Sequence, residues 1–366
     1  MVLVGAGHAH LYVARHAAEF RKRGVELLLI DPGMFWYSGM ATGMLGGMYS
    51  PGADQVDPGR LITACGGRFI QQRVVGLDRE RQRLLLEDGG VVGFDLVSFN
   101  VGSGVPLEDI EGAADHAASV KPIANLAQLR QQLEEAFLAQ VATPHVVILG
   151  GGPTGCEVGA NLCALAHRNR RSLRLTLVTR SDRLLPQAPR GSSRAILRAL
   201  KRHGIRIMLR QEIARIAPGK VITGTETLLC DQIIGAVGLK ASPLAEALGL
   251  PCDEAGLRTD DCLRSVNDHR VFGAGDCISF CGRDLPKLGV FGVRQAPVLL
   301  QNLLAALDGA APRAYRPPKR YLTILNLGEN DGLAMRGRLW WRGRSALWLK
   351  HAIDSRFVKG YRALYQ

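Results

Sequence analysis

The chain has 366 residues, 47% hydrophobic and 22% charged, the balance of a water-soluble globular protein with room for two or three domains. No apolar run is long enough to span a membrane and the first apolar segment starts at Val2, so we expect a cytoplasmic protein with neither a spanning helix nor a signal peptide. The net charge of +13 comes without a nucleic-acid-binding motif, so it excludes that class and leaves solubility, anionic lipid or phosphate-bearing cofactors as interpretations.

A glycine-rich turn follows the first predicted strand. Val2-Leu3-Val4 runs directly into Gly5-Ala6-Gly7-His8-Ala9-His10. In a dinucleotide-binding turn the first glycine permits a tight bend from strand to helix, and the second lets the backbone approach the pyrophosphate. Residues 25–30 form another predicted strand that ends at Asp31, where an acid is expected to accept the ribose hydroxyls. The sequence therefore predicts a dinucleotide site here.

His10 stands where this turn commonly has a third glycine, so the helix cannot approach the strand as closely at that position. Two interpretations stay open. The imidazole is either a packing group at the start of the helix or a group that faces the cofactor.

The following segments predict the remainder of a first nucleotide-binding unit. Residues 34–66 are rich in Gly, Met and Tyr, typical of a cofactor-lining loop with a short helix, and residues 68–95 alternate as a small sheet. A buried strand over residues 94–99 ends at Asn100-Val101-Gly102-Ser103. Residues 124–142 predict an amphipathic helix whose apolar face carries Leu126, Leu129, Leu133, Phe137 and Val141.

A second glycine-rich turn predicts a second nucleotide site. Val146-Val147-Ile148-Leu149 precedes Gly150-Gly151-Gly152-Pro153-Thr154-Gly155, and Glu157 follows just inside the next helix. A strand over residues 173–178 ends in Thr179-Arg180 rather than in an acid. Arg180 favours a 2′-phosphate and hence NADPH, or weak discrimination between NADH and NADPH, or is simply an exposed basic residue in a basic protein. A later strand, residues 232–236, ends at Val237-Gly238.

The chain then returns to the first unit. Residues 271–276 repeat the pattern of a buried strand that enters a bare turn, here Gly273-Ala274-Gly275-Asp276. This order predicts an α/β fold with two Rossmann-like domains of the three-layer ββα type, one inserted in the other. The expected boundaries are 1–115 and 241–315 for the outer domain, 116–240 for the inserted domain and 316–366 for a small C-terminal module.

The C-terminal module combines aromatic and basic residues. Trp340, Trp341 and Trp348 lie among eight arginines and lysines, and Leu349, Ile353, Phe357 and Tyr361 recur every four residues. A basic amphipathic helix with aromatic flanks can lie on the cytoplasmic face of an anionic membrane. The alternatives are that this stripe packs on the first domain or forms a homodimer contact.

Eight cysteines are present without a C-x-x-C spacing, so zinc and thioredoxin-like chemistry lack support and no metal is expected. In a cytosolic chain they are expected to be reduced and mostly buried. Cys277 and Cys281, four positions apart, leave a redox pair open as an alternative.

These segments together resemble two-dinucleotide flavoproteins of the pyridine nucleotide-disulfide oxidoreductase superfamily. Within it the chain looks most like the flavoprotein domain fused to some selenide, water dikinases, without the kinase, and type II NADH dehydrogenases are near relatives. The resemblance is carried by the segments 5–10, 37–40, 100–103, 150–155, 275–276, 286–295 and 348–354.

The resemblance implies FAD at the first turn and NAD(P)H at the second. It implies that Glu157 lies near nicotinamide and flavin, where it positions the ring or relays a proton, although a helix first-turn acid needs no such role. Lys287 is implied as a polar contact of the flavin pocket, against the alternative of a solvated lysine. The residues implied for FAD are Gly5, Gly7, His8, His10, Asp31, Tyr37, Ser38, Gly39, Asn100, Gly102, Gly275, Asp276, Gly289, Val290 and Phe291. Those implied for NAD(P)H are Gly152, Pro153, Thr154, Gly155, Arg180 and Gly238.

The function implied is hydride transfer from NAD(P)H to flavin and electron delivery to a quinone-like or other small acceptor. The loop after the first unit holds only Cys65, so the catalytic dithiol of the disulfide reductases is excluded. Two alternatives stay open. One is a sulfide:quinone-type oxidoreductase that uses Cys156, Cys277 and Cys281, and the other is a slow-cycling flavin-bearing regulatory or binding protein.

Overall fold

The computed structural model describes residues 1–139, 143–281 and 283–366. The strands are β1 (Val2–Val4), β2 (Leu28–Ile30), β3 (Phe35–Trp36), β4 (Gln55–Val56), β5 (Arg68–Ile70), β6 (Val74–Asp78), β7 (Arg83–Leu86), β8 (Val91–Gly93), β9 (Val97–Phe99), β10 (Ser103–Gly104), β11 (Ala118–Ser119), β12 (His145–Leu149), β13 (Arg174–Val178), β14 (Arg206–Met208), β15 (Ile213–Ala217), β16 (Lys220–Thr223), β17 (Thr227–Leu229), β18 (Gln232–Gly235), β19 (Lys240–Ala241), β20 (Cys252–Asp253), β21 (Gly256–Thr259), β22 (Val271–Gly273), β23 (Ile278–Phe280), β24 (Leu322–Asn326), β25 (Gly332–Arg336) and β26 (Leu339–Arg342).

The helices are α1 (His8–Ala14), α2 (Ala17–Arg21), α3 (Ser38–Leu45), α4 (Pro58–Ala64), α5 (Ala113–His116), α6 (Ala124–Ala139), α7 (Pro153–Arg168), α8 (Arg190–Arg202), α9 (Leu244–Ala247), α10 (Gly289–Asp308) and α11 (Arg344–Arg362). Short 3₁₀ turns occupy Leu107–Asp109 and Gly275–Cys277. The predicted apolar face of α6 is buried at Leu126, Leu129, Leu133 and Phe137, whereas Val141 lies outside the described residues.

The first parallel sheet has the order β22-β9-β1-β2-β5. Its strands β1, β2, β9 and β22 are buried throughout, as expected for a sheet covered on both sides. Helices cover one face, and the antiparallel sheet β6-β7-β8 contributes Val74, Leu84 and Leu86 to the same core. This is a three-layer arrangement of helices, parallel sheet and antiparallel sheet.

The second parallel sheet repeats this plan with the order β11-β18-β12-β13-β14. One core cluster packs α6, α7 and α8 on one face, and another packs the antiparallel sheet β15-β16-β17 on the other. The chain leaves the first sheet after β9, builds the second sheet, and returns at β22, which pairs with β9. The predicted α/β fold, with one Rossmann-like domain inserted in another, is confirmed.

The C-terminal module is an antiparallel meander, β24-β25-β26, followed by α11. Of the alternatives that the sequence left open for its helix, packing on the first domain holds for part of the apolar stripe. Phe357 and Tyr361 pack on the core of the first domain, whereas the side chain of Ile353 is 46% exposed. The C-terminal half of the apolar stripe, Phe357 and Tyr361, therefore holds α11 against the first domain.

Helix α10 is long and apolar enough, by length and composition alone, to cross a membrane, with a mean hydropathy of 1.3. The sequence expectation of no spanning helix considered only uninterrupted apolar runs. Buried residues of α10, including Leu299, Leu300 and Leu303, belong to the core of the first domain, which is the environment of a core helix.

Candidate active site

The first glycine turn needs glycine because Asn100 lies directly beneath it. Gly5 has φ +87°, and a Cβ at this position would lie 2.7 Å from the Asn100 carbonyl oxygen. A Cβ on Gly7 would overlap the Asn100 side chain. The bare backbone of residues 5–7 therefore lets β1 turn into α1 against the end of β9.

Asn100 and His10 hold this turn from behind. The Asn100 Oδ1 accepts hydrogen bonds from the amides of Ala9 (3.0 Å) and His10 (3.2 Å), and its Nδ2 donates to the Ala274 carbonyl at 2.6 Å. The buried His10 ring bonds to the Gly5 carbonyl at 2.6 Å and the Ser98 hydroxyl at 2.8 Å. Burial lowers the pKa of His10 to about 3, so the ring is neutral. Of the two interpretations, the structure favours His10 as a packing and supporting residue.

Asp31 lies at the carboxyl end of β2, beside the first turn. Its Oδ2 accepts from the Ala6 amide at 2.7 Å, and its Oδ1 accepts from the Gly33 amide at 2.9 Å. Burial raises its pKa, opposed by these hydrogen bonds. Each oxygen keeps a further lone pair, so the carboxylate can accept ribose hydroxyls as well.

The turn after β22 brings a polar cluster to the same edge. The Asp276 Oδ2 accepts from the Ser103 hydroxyl at 2.7 Å and from the Lys121 ammonium at 3.1 Å. Gly102, next to Ser103, has open space where a Cβ would stand. Sequence reasoning missed Lys121, which follows β11 of the inserted domain and reaches the outer domain. No local motif marks it, because its partner is 155 positions away.

The N-terminus of α10 meets the first turn and α3. A Cβ on Gly289 would lie 3.2 Å from the His8 ring and 3.7 Å from the Ser38 hydroxyl. Burial lowers the pKa of His8 to about 4, so it is neutral near pH 7. Val290 and Phe291 follow in the first turn of α10, and Phe291 is buried. The positive end of a helix thus lies against His8 of the first turn and Ser38 of α3.

Tyr37, which precedes α3, links this region to the C-terminal helix. Its hydroxyl donates to the Asp354 Oδ1 at 3.0 Å, and its ring stacks on Phe357 with centroids 4.4 Å apart. A Cβ on Gly39 would lie 2.7 Å from Asp354. Residues 37–39 are therefore packed against α11, a contact that the sequence did not predict.

The second turn needs glycine for the same reason as the first, because a side chain would overlap neighbouring protein atoms. Gly150 has φ +116°, and a Cβ there would overlap the Ala236 carbonyl. A Cβ on Gly155 would overlap the Gly150 carbonyl, so glycine lets α7 pack closely on the turn. Gly152, in contrast, has no protein atom within 4 Å of its Cβ position, which leaves this side of the turn open to a ligand.

The residues beside Gly152 line the open side of the turn. Pro153 begins α7 and Thr154 follows it at partial exposure. Gly238, beyond the end of β18, also has open space at its Cβ position. Arg180 is exposed beyond the end of β13.

Glu157 is the point where three parts of the chain meet. Its Oε1 accepts from the Asn326 amide of β24 at 2.7 Å and from the Thr42 hydroxyl of α3 at 3.4 Å. Burial raises the pKa of Glu157, Lys350 lowers it, and Asp354 raises it further. These partners belong to the outer domain and the C-terminal module, so Glu157 of the inserted domain lies at their common junction.

Lys350 and Asp354 of α11 complete this junction. The Lys350 ammonium lies 3.0 Å from the Asp354 Oδ2, an ion pair whose geometry falls outside that of a hydrogen bond, and both side chains are nearly buried. Next to them the Tyr49 hydroxyl lies 3.1 Å from His351 Nδ1. Sequence reasoning used residues 348–354 only for the resemblance and missed these contacts. The four-residue spacing of Lys350 and Asp354 was the one available signal.

Lys287 has a different setting from Glu157. Its ammonium donates to the Ile278 carbonyl at 3.0 Å and to the Ala255 carbonyl, so it ties the loop before α10 to β23. Burial lowers its pKa, and the nearby Asp276 raises it. The structure thus places Lys287 near Asp276 and among backbone carbonyls rather than in open solvent.

The cysteines are free thiols. Cys156 and Cys277 are buried, and Cys277 donates to the carbonyls of Phe99 and Ala274. Burial raises the pKa of both thiols and of the exposed Cys281. A raised pKa disfavours the reactive thiolate, so the surroundings of these thiols do not favour a redox pair or a sulfur-transfer role.

The fold and the two glycine-rich turns are those of a two-dinucleotide oxidoreductase. Residues 5–31 and the Asp276 turn meet at the carboxyl edge of the first sheet, and the second turn has open space beside Gly152. The N-terminus of α10, with His8 and Ser38 beside it, suits a redox ring that gains negative charge when it is reduced.

The chain belongs to the pyridine nucleotide-disulphide oxidoreductase family, whose model matches residues 1–300. It is similar to demethylphylloquinone reductase NdbB of Synechocystis sp., with 25% identity over 76% of this chain and 70% of that protein. It is also similar to ferroptosis suppressor protein 1 of Xenopus tropicalis, with 24% identity over 91% and 87%. Type II NADH:quinone oxidoreductase of Staphylococcus aureus is 22% identical over 79% and 77%.

Solved structures show the same fold. NDH2 from Plasmodium falciparum in complex with NADH has a TM-score of 0.82 at 15% identity and covers 100% of this chain and 97% of its own. The sulfide:quinone oxidoreductase of Aquifex aeolicus also has a TM-score of 0.82, at 16% identity, and covers 99% and 91%. The predicted superfamily is confirmed. The protein is an FAD-dependent oxidoreductase that uses NAD(P)H.

Proposed function

We propose that this protein is an NAD(P)H:quinone-type oxidoreductase. The observation that carries the proposal is the position of Glu157. This carboxyl group lies on the helix of the second glycine turn, yet contacts Thr42 from the outer domain and Asn326 from the C-terminal module. A carboxyl group whose pKa is raised by burial therefore lies where the inserted domain, the outer domain and the C-terminal module meet, which supports a role in proton transfer between the two proposed nucleotide sites.

FAD fits the first site, because the Gly5–Gly7 turn carries no side chain, Asp31 is positioned beside it and the N-terminus of α10 lies against His8 of the same turn. FAD supplies acceptance of a hydride and its return as two electrons to a second substrate. The ADP half would be held by Gly5, Gly7, His8, Asp31, Gly275 and Asp276. The redox ring would be held by Tyr37, Ser38, Gly39, Gly289, Val290 and Phe291. Four further residues would act indirectly, by holding the backbone and Asp276 in position around FAD. They are Asn100, Gly102, His10 and Lys287.

The nicotinamide nucleotide would bind at the second turn. Gly152, Pro153, Thr154 and Gly155 present backbone amides and the N-terminus of α7 to its pyrophosphate. Gly238 would lie close to the nicotinamide half, and Arg180 would lie close to the adenosine half.

Reduction of a quinone to a quinol by NAD(P)H consumes one proton besides the hydride. Glu157 is suited to hold that proton, because its pKa is raised by burial. Its Oε1 is already occupied by two hydrogen bonds, so the proton would stand on Oε2. Lys350 and Asp354, in electrostatic contact with Glu157, would set how readily the proton is released.

A quinone-like acceptor is favoured over a disulfide. Helix α3, which lies next to Glu157 through Thr42, carries no cysteine. Two of the relatives are named as quinone reductases, which supports the same class of acceptor for this chain.

An acceptor screen tests this proposal. The purified protein, supplied with NADH or NADPH, is expected to reduce a soluble benzoquinone or naphthoquinone far faster than oxidised glutathione, lipoamide or sulfide-derived polysulfide. Faster turnover with any disulfide than with every quinone would contradict it.

We further propose that the protein associates with an anionic membrane surface. The exposed side chains of Leu339 (74%), Trp348 (71%), Trp340 and Trp341 (39% each) gather on β26 and the start of α11. Trp340 packs beside Gly191 of α8, whose exposed face carries Arg194, Arg198, Lys201 and Arg202. Aromatic side chains flanked by cations are suited to the headgroup region of a bilayer. We call these residues of α8, β26 and α11 the basic aromatic face.

A further inference from the structure

Two arginines stand together where the adenosine ribose of the nicotinamide nucleotide is expected. β13 and β14 are parallel neighbours, with Val178 opposite Met208. Arg180 and Arg210 each follow their strand by two positions and are exposed at the carboxyl edge of the sheet. In Rossmann-like domains nucleotides bind at this edge.

The backbone holds the two positions side by side. The Arg210 amide donates to the Ser181 carbonyl at 3.0 Å, and the Gln211 amide donates to the Thr179 carbonyl at 3.0 Å. Thr179 in turn lies against the second glycine turn, since a Cβ on Gly151 would approach its side chain to 2.9 Å. The two arginines therefore flank the ribose end of the same turn.

In the described part of the chain, no acidic side chain neutralises the positive charges of Arg180 and Arg210. Within residues 1–139, 143–281 and 283–366, neither guanidinium has a carboxylate oxygen within 4.0 Å. Two neighbouring cations repel each other, and a bound anion removes that cost. The end of β13 carries Thr179 instead of the acid that would accept a free 2′-hydroxyl.

We propose that Arg180 and Arg210 bind the 2′-phosphate of NADPH, so that this protein prefers NADPH to NADH. The inference rests on the proposed function only in placing the nucleotide at the second turn. Arg210 lies 30 positions beyond Arg180 and became recognisable only from the pairing of β13 with β14. The preference would set this chain apart from the relatives whose names specify NADH.

Binding of adenosine 2′,5′-bisphosphate and of 5′-AMP, measured by calorimetry on the FAD-loaded protein, tests the site without turnover. The bisphosphate is expected to bind about 100-fold tighter, since hydrogen bonds to a charged group each contribute roughly tenfold or more. Arg180→Ala with Arg210→Ala is expected to abolish this difference. The matched control is Arg171→Ala with Arg174→Ala, which removes the same charge at the opposite end of β13 and should keep the difference.

Rapid-mixing reduction of the bound flavin provides the second readout. Wild-type protein is expected to reach half-maximal reduction at a much lower concentration of NADPH than of NADH, and the Arg180/Arg210 variant is expected to lose that preference. Equal binding of the two adenosine probes, or selectivity that survives in the variant, would overturn the inference. Failure of both nucleotides to reduce the flavin would instead overturn the proposed function, while the probe binding would still report on the arginines.

Discussion

Gly152 is a residue whose lack of a side chain is expected to matter for ligand binding but not for folding. Its Cβ position is free of protein atoms, unlike those of Gly150 and Gly155. We expect Gly152→Ala to fold normally and retain FAD but to raise the KM for NAD(P)H by about tenfold or more, because the methyl group occupies the path of the pyrophosphate. Steady-state kinetics and flavin content measure both effects.

The control for this prediction is Gly104→Ala, since Gly104 also has open space at its Cβ position but lies on β10. It should leave the KM unchanged. If Gly152→Ala binds NAD(P)H as tightly as the wild-type protein, the second turn is not the pyrophosphate site.

Glu157 is expected to make the stability of the fold depend on pH. Because burial raises its pKa above the unfolded value of 4.5, the folded protein binds more protons above that pH, and stability falls as the pH rises through the folded pKa. Glu157→Gln removes this titration and keeps an oxygen for the Asn326 amide. We expect the variant to gain melting temperature at pH 8 relative to the wild-type protein, with little difference at pH 4.

The same variant separates the two half-reactions. Glu157→Gln should leave flavin reduction by NAD(P)H largely intact and slow flavin oxidation by quinone, with loss of the pH dependence of that step. Rapid-mixing measurements across pH 5–9 test this. An unchanged oxidation step in Glu157→Gln would remove Glu157 from proton transfer.

Among the elements, α11 is packed into the candidate active site rather than attached at its edge. Its Lys350–Asp354 pair has side-chain exposures of 11% and 6%, and Asp354 also accepts from Tyr37. Lys350→Met leaves Asp354 without its cation, and breaking such a nearly buried pair costs about 3–5 kcal/mol. Chemical denaturation should report this loss.

Lys359→Met is the matched control for that prediction, because Lys359 is exposed on the same helix. Its effect should be small, as for most surface substitutions. Equal stability of the two variants would mean that the Lys350–Asp354 pair does not fix α11 on the protein.

The turns could be predicted from sequence because their partners are close in the chain or follow a fixed spacing, as with Gly5 and Asp31. Other residues of the candidate site could not be predicted, because only tertiary packing brings them there. They are Thr42, Lys121, Asn326 and Asp354. Asp354, for example, is 317 positions from Tyr37. His10 was ambiguous for a related reason, since one of the two contacts that fix its ring is with Ser98, 88 positions away in the chain.

In the whole molecule, part of the net charge of +13 is concentrated on one face. Arginines and lysines of α8 adjoin the exposed tryptophans of β26 and α11, on the basic aromatic face. We expect the protein to float with liposomes that contain anionic lipid and not with neutral ones, and added salt should weaken the association.

A variant with Trp340→Ser and Trp348→Ser tests whether this face is responsible, because it changes exposed residues on the surface of the module. It should lose flotation and retain activity with a soluble quinone. Flotation equal to that of the wild-type protein would exclude the basic aromatic face as the membrane contact.

We expect this one chain to take a hydride from NAD(P)H and to deliver the electrons to a quinone. The most direct test is an anaerobic experiment on the purified, FAD-containing protein. One equivalent of NADPH is added while the visible absorbance of the flavin is recorded, and one equivalent of quinone follows. We expect the first addition to bleach the flavin and the second to restore it, with one quinol formed per NADPH. A flavin that no nicotinamide nucleotide bleaches, or that stays bleached after quinone is added, would contradict it.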